Sequence, residues 1–109
     1  LLGTKFTMEQ DFYKGRLSDH FGIETIVPDD EEREYIHRVI YNELCLGVVN
    51  QTSKERFVEI ISSLIDRGAE GIILGCNEIP LLVRQMDIPV LLYDTTEIHA
   101  KAAVVFALR

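Results

Sequence analysis

Cys76, Asn77 and Glu78 follow directly on the apolar run Ile72-Ile73-Leu74 and a glycine, Gly75. A continuous, β-branched run closed by glycine reads as a strand buried on both faces, the usual state in a parallel sheet. In open α/β sheets, ligands bind beyond the carboxyl ends of the strands, and Cys76 would sit there. Residues 78–86 then read as an amphipathic helix, with Pro80 tolerated in its first turn. Free backbone N–H groups at a helix start favour an anion, so a thiol at that place is expected to have a lowered pKa and raised reactivity. The plainer reading is a small buried hydrophobe, the ordinary fate of a lone cysteine in apolar surroundings. Residue types alone leave both open.

The elements that must hold this group follow from length and pattern. The chain has 109 residues, enough for one domain with a real core. Hydrophobic residues are 47% and charged residues 27%, the balance of a globular, soluble protein. No apolar run approaches a membrane span, and no secretory signal opens the chain. A net charge of −7 argues against a general nucleic-acid or anionic-membrane surface. Cys45 and Cys76 lack the spacing of a disulfide scaffold, which points to a reducing compartment, with the cytoplasm as default. Leu1-Leu2-Gly3-Thr4 reads as the end of a buried strand without an initiator methionine, so the chain reads as a piece of something longer.

Taken in order, Thr7 is a candidate N-cap for a helix over residues 8–20 that ends at Gly22. A strand over residues 23–27 closes at Pro28. The acidic run Asp29-Asp30-Glu31-Glu32 opens a second helix, where it suits the macrodipole. A metal site is the weaker reading, because consecutive acids point different ways round a helix and lack calcium-loop spacing. Tyr35, Ile36, Val39, Ile40 and Leu44 fall at core spacing before Gly47. Thr52-Ser53-Lys54-Glu55 has the pattern of a capping box, and Phe57, Ile60, Ile61, Leu64 and Ile65 form the buried face of the next helix, which stops at Gly68. A strand over residues 88–93 precedes a last helix opened by Asp94-Thr95-Thr96 and running through residue 108.

Strands alternating with helices imply right-handed crossovers and a parallel sheet. The expected fold class is α/β: a flavodoxin-like, four-stranded parallel sheet in the order 2-1-3-4, with helices on both faces. Its switch point lies between the strands near Leu1 and Ile72, which brings residues 4–7 and 76–78 together.

Several segments occur in a telling order: Leu2-Gly3-Thr4 with Thr7-Met8, Ile40-Tyr41 with Glu43 and Gly47, Gly68-Ala69, Gly75-Cys76-Asn77-Glu78-Ile79, and Asp94-Thr95-Thr96 with Ile98-His99-Ala100. Over essentially the whole chain they resemble the second domain of the aspartate/glutamate racemase superfamily, in the branch of aspartate and broad-specificity amino-acid racemases. The resemblance implies two flavodoxin-like domains with the active site between them, an amino-acid substrate and a homodimer when intact. It also implies no cofactor, pyridoxal phosphate included, and no metal. Two cysteines, one per domain, face opposite sides of the substrate α-carbon. One thiolate removes the α-proton and the other thiol delivers a proton to the opposite face. By that resemblance Cys76 is the second-domain member of the pair, and its partner belongs to the first domain, which this chain lacks.

Cys45 is not that partner. It falls mid-helix in a different motif, where packing is the ordinary role of a cysteine. Thr4 and Thr7 are either substrate-side hydroxyls or turn and cap residues. Glu78 either supports Cys76 or favours the helix start. Tyr41 lines the pocket or packs in the core. His99 is read as structural, and His20 and His37 as surface helix residues.

Two departures from the family bear on substrate. The position after the motif cysteine, usually threonine, is Asn77, a longer side chain that is also a good N-cap. Aspartate-specific relatives commonly place a lysine where Cys45 stands, to bind the side-chain carboxylate. A neutral thiol makes no such charge-assisted contact, so the resemblance favours neutral or polar amino acids. A decarboxylase of disubstituted malonates, which needs only the second-domain cysteine, is the runner-up. A non-catalytic ligand-binding domain is the other alternative.

Overall fold

The structure, a computed structural model, describes residues 1–95, and for Phe12, Tyr13, Arg16, His20 and Phe21 the backbone alone. The expected last helix therefore lies outside the described residues, as do His99 and the side chain of His20.

Caps decide where the helices begin. Thr4 is extended (φ −66°, ψ 164°) and its side chain accepts from the Thr7 amide, which starts α1 (Lys5–Glu9) a turn earlier than expected. Gln10, also extended (φ −85°, ψ 145°), interrupts the helix before α2 (Asp11–Phe21). The single helix expected over residues 8–20 is thus two, with Thr4 rather than Thr7 as cap. Gly22 ends α2 in the left-handed region at φ 65°, which glycine adopts without steric penalty.

The acidic run opens α3 (Asp30–Asn42) through a reciprocal cap. Asp29 Oδ1 accepts from the Glu32 amide at 2.9 Å, and Glu32 Oε1 accepts from the Asp29 amide at 3.1 Å. A 3₁₀ turn, Leu44–Leu46, then leads to Gly47 at φ 77°. In α4 (Gln51–Asp66) the cap is Asn50, whose Oδ1 accepts from the Thr52 amide at 2.8 Å. The capping box expected at Thr52 does not form, because Ser53 already lies inside the helix. Its hydroxyl donates to Glu43 Oε1 at 2.8 Å and ties α4 to the end of α3.

The sheet pairs β1 (Gly71–Leu74) with β2 (Leu91–Asp94) in parallel, Gly71 opposite Leu91 and Leu74 opposite Asp94. Leu2 adds one parallel bridge to Leu74. Beyond it, the Leu1 amino group donates to Ile26 O at 2.9 Å. Ile26, Leu1-Leu2, β1 and β2 therefore lie side by side, but four strands do not form among the described residues. Residues 23–27 take part in no ladder, and the one backbone bond from Leu1 is too little to define one. Ile36 and Ile40 of α3, Phe57 and Leu64 of α4, and Leu2 and Ile72 of the sheet share one buried cluster.

The helix expected over residues 78–86 is replaced by two 3₁₀ turns, Ile79–Leu81 and Gln85–Asp87. Ile79, Leu82 and Val83 are buried at the spacing of a helical face, whereas Met86 is 88% exposed. Pro80 lacks an N–H and limits regular helix to the first turn, so the apolar pattern is met by a tight turn and an extended return. Among the described residues, no helix is long and apolar enough to cross a membrane.

Candidate active site

The chain leaves the sheet at Gly75 and Cys76, the carboxyl end of β1. A Cβ on Gly75 would stand 3.2 Å from Leu2 O and 3.2 Å from Thr7 Cγ2. On Gly3 it would stand 3.1 Å from Thr7 Cβ. These two glycines let α1 close against the strand end and put Thr7 beside Gly75. The Thr4 and Thr7 hydroxyls lie 3.2 Å apart, both half-buried. From the far side, the Thr95 hydroxyl donates to Leu74 O at 3.0 Å. Of the expected meeting of residues 4–7 with 76–78, the structure shows Thr7 packed on Gly75, the residue before Cys76.

Cys76 is half-buried against the core, and its Sγ–H donates to Glu78 Oε2 at 2.8 Å. The thiol pKa is pushed up to about 11. Burial is the main cause, followed by the hydrogen bond to the Glu78 side chain; the Glu78 backbone amide pulls the other way, and the Glu78 charge pushes up again. This overturns the expectation of a lowered value. The thiol is succeeded by a three-residue 3₁₀ turn instead of an α-helix, and a carboxylate faces it. Glu78 makes no side-chain cap bond to that turn. Asn77 is exposed at the rim.

Outside this group the structure corrects the reading of Cys45, removes the core alternative for Tyr41 and adds a contact to His37. Cys45 lies on the 3₁₀ turn Leu44–Leu46 and is exposed, not packed mid-helix; Leu44 beside it takes the buried position. Tyr41 is 49% exposed, not a core residue, and its ring lies 4.7 Å from that of His37. His37, read as a plain surface residue, accepts at Nδ1 from the Lys5 amide at 2.9 Å. No local sequence signal marks that role, because its partner is 32 residues away.

Among the described residues, no group of three or more His, Cys, Asp or Glu could hold a metal ion. A thiol on a carboxylate can pass a proton, and two adjacent hydroxyls can donate to an anionic group.

A profile of the Asp/Glu/hydantoin racemase family matches residues 1–103. The chain is similar to the crystal structure of a candidate Asp/Glu racemase from Yersinia pestis, at 52% identity and a TM-score of 0.94. It is also similar to that of an aspartate racemase homologue from Pyrococcus horikoshii, at 41% identity and a TM-score of 0.89. Each match covers 99% of this chain but 47% of the other, so the chain spans about half the length of these relatives. The chain belongs to the Asp/Glu/hydantoin racemase family.

Proposed function

We propose that the protein carrying this chain is a cofactor-independent amino-acid racemase and that Cys76 is one of its two acid/base groups. The observation that carries this reading is the Cys76 thiol at the carboxyl end of β1, hydrogen-bonded to Glu78 with Thr7 packed on the adjoining Gly75. Inversion requires a base on one face of the α-carbon and an acid on the other, since a proton returned to the face it left restores the starting enantiomer. The second group is a cysteine in the half of the protein outside this chain. A match to less than half of each solved relative supports reading these residues as one part of a larger protein.

A pKa of about 11 makes Cys76 a thiol at neutral pH, ready to act as the acid. The distal thiolate takes the α-proton, Cys76 gives its own to the opposite face, and Cys76 ends the step as a thiolate. In the reverse direction Cys76 must begin as a thiolate, and Glu78 Oε2, 2.8 Å away, is in place to accept its proton. Thr4, Thr7 and Asn77 are the candidate donors to the substrate carboxylate, where charge builds in the transition state. Tyr41 is the candidate wall of the pocket. With the exposed Cys45 where aspartate-specific relatives commonly carry lysine, neutral or polar amino acids are the favoured substrates.

The test is racemisation by the intact protein on homoserine, serine, alanine, glutamate and aspartate, followed by chiral chromatography. Turnover of a neutral or polar member supports the reading; turnover of aspartate alone would contradict the substrate assignment. One observation also favours a second reading. A protonated Cys76 suffices for a malonate decarboxylase, which would release carbon dioxide from a disubstituted malonate and invert no amino acid.

A further inference from the structure

We propose that His37 is a positioning residue for this site: its imidazole holds the first amide of α1 and thereby fixes the Thr4–Thr7 hydroxyl pair beside Gly75 and Cys76. Its consequence for turnover rests on the racemase reading; its structural part does not.

Five residues of helix do not persist alone in water, so α1 keeps its place by what it touches. Its far end is anchored by Met8, which is fully buried. Its near end has amides without intrahelical partners. Thr4 takes that of Thr7, and His37 Nδ1 takes that of Lys5 at 2.9 Å. The imidazole is itself held, with the Phe6 ring edge-on at 6.2 Å and the Tyr41 ring tilted at 4.7 Å. Lys5 Nζ also meets Glu34 at 3.0 Å, but this pair is about half exposed on both sides and contributes little. His37 is therefore the directional link between α3 and the turn bearing Thr4. Thr7 has no slack at the other end, since Gly3 and Gly75 both abut it.

An imidazole accepts at Nδ1 only while that nitrogen is unprotonated. The titratable residues whose contact or charge reaches it are Lys5 on α1 and Glu34 and Tyr41 on α3. Glu34 is engaged by the Lys5 ammonium, and His37 Nδ1 is the acceptor that holds the Lys5 amide.

The experiment compares His37→Ala and His37→Asn in the intact protein. The asparagine Oδ1 stands near the Nδ1 position and does not titrate. Steady-state racemisation is followed against pH, and exchange of the Lys5 amide is followed by NMR with correction for intrinsic rates. The alanine form is expected to lose about tenfold or more in kcat/KM from misplaced hydroxyls, and to exchange the Lys5 amide at least about tenfold faster. The asparagine form, which restores an acceptor at that place, should recover most of both. An alanine form with unchanged Lys5 protection, or an asparagine form as impaired as alanine at every pH, overturns the proposal. If the wild type turns over no amino acid, the racemase reading fails, while amide exchange still decides the role of His37.

Discussion

At the scale of single residues, the proposed chemistry turns on the pairing of Cys76 with Glu78. The thiolate is the form that alkylates, and a pKa near 11 keeps Cys76 protonated at neutral pH. Its iodoacetamide rate should therefore keep rising with pH beyond 9 and level off only near 11, while the exposed Cys45 is labelled first at pH 8. Glu78→Gln removes the negative charge that opposes the thiolate, so the Cys76 titration should move downward; an unmoved alkylation profile would leave burial as the whole cause. Asn77 is the other residue to change. If threonine offers a better-aimed donor to the substrate carboxylate, Asn77→Thr raises kcat/KM, by up to about a hundredfold for one such donor. An unchanged or lower rate across the amino-acid panel would show that asparagine is an adapted contact.

At the scale of elements, the approach of α1 to the end of β1 is set by the missing side chain of Gly75. Gly75→Ala puts a methyl 3.2 Å from a backbone oxygen and 3.2 Å from Thr7, so it should cost about 1–3 kcal/mol and lower both Tm and turnover. Asp29→Ala removes one half of a reciprocal cap that involves none of the candidate site residues and should cost about 1 kcal/mol with turnover unchanged. Much of this architecture is legible in residue order. The buried faces Ile36, Val39, Ile40 and Phe57, Ile60, Ile61, Leu64 are set by 3.6-residue spacing, and Gly22 is a readable stop. Local degeneracy hides the rest. Ile79, Leu82 and Val83 have helical spacing, yet Pro80 and a short loop make the same burial possible with a 3₁₀ turn. Thr4 and Thr7 are equally good caps by residue type, and only the contact of Thr7 with Gly3 and Gly75 separates their roles. The expected lowering of the thiol pKa rests on a helix that does not form, and the link from Lys5 to His37 spans elements that no local pattern connects.

At the scale of the whole molecule, the proposed racemase reading has this chain present Cys76 to one face of a substrate. The 109 residues by themselves should therefore invert no amino acid, and measurable inversion by the purified chain would mean that it holds both groups. Cys76 as a proton carrier is tested most sharply with the intact protein and its Cys76→Ser variant in deuterium oxide, each enantiomer of the preferred amino acid being supplied separately. A serine hydroxyl is nearly the shape of the thiol but far too weak an acid to replace it. The wild type is expected to invert both enantiomers, with deuterium entering at the α-carbon. The variant should invert neither, and should exchange the α-hydrogen of only the enantiomer whose hydrogen faces the remaining cysteine. Inversion retained by Cys76→Ser would contradict the assignment of Cys76 as one of the two proton carriers.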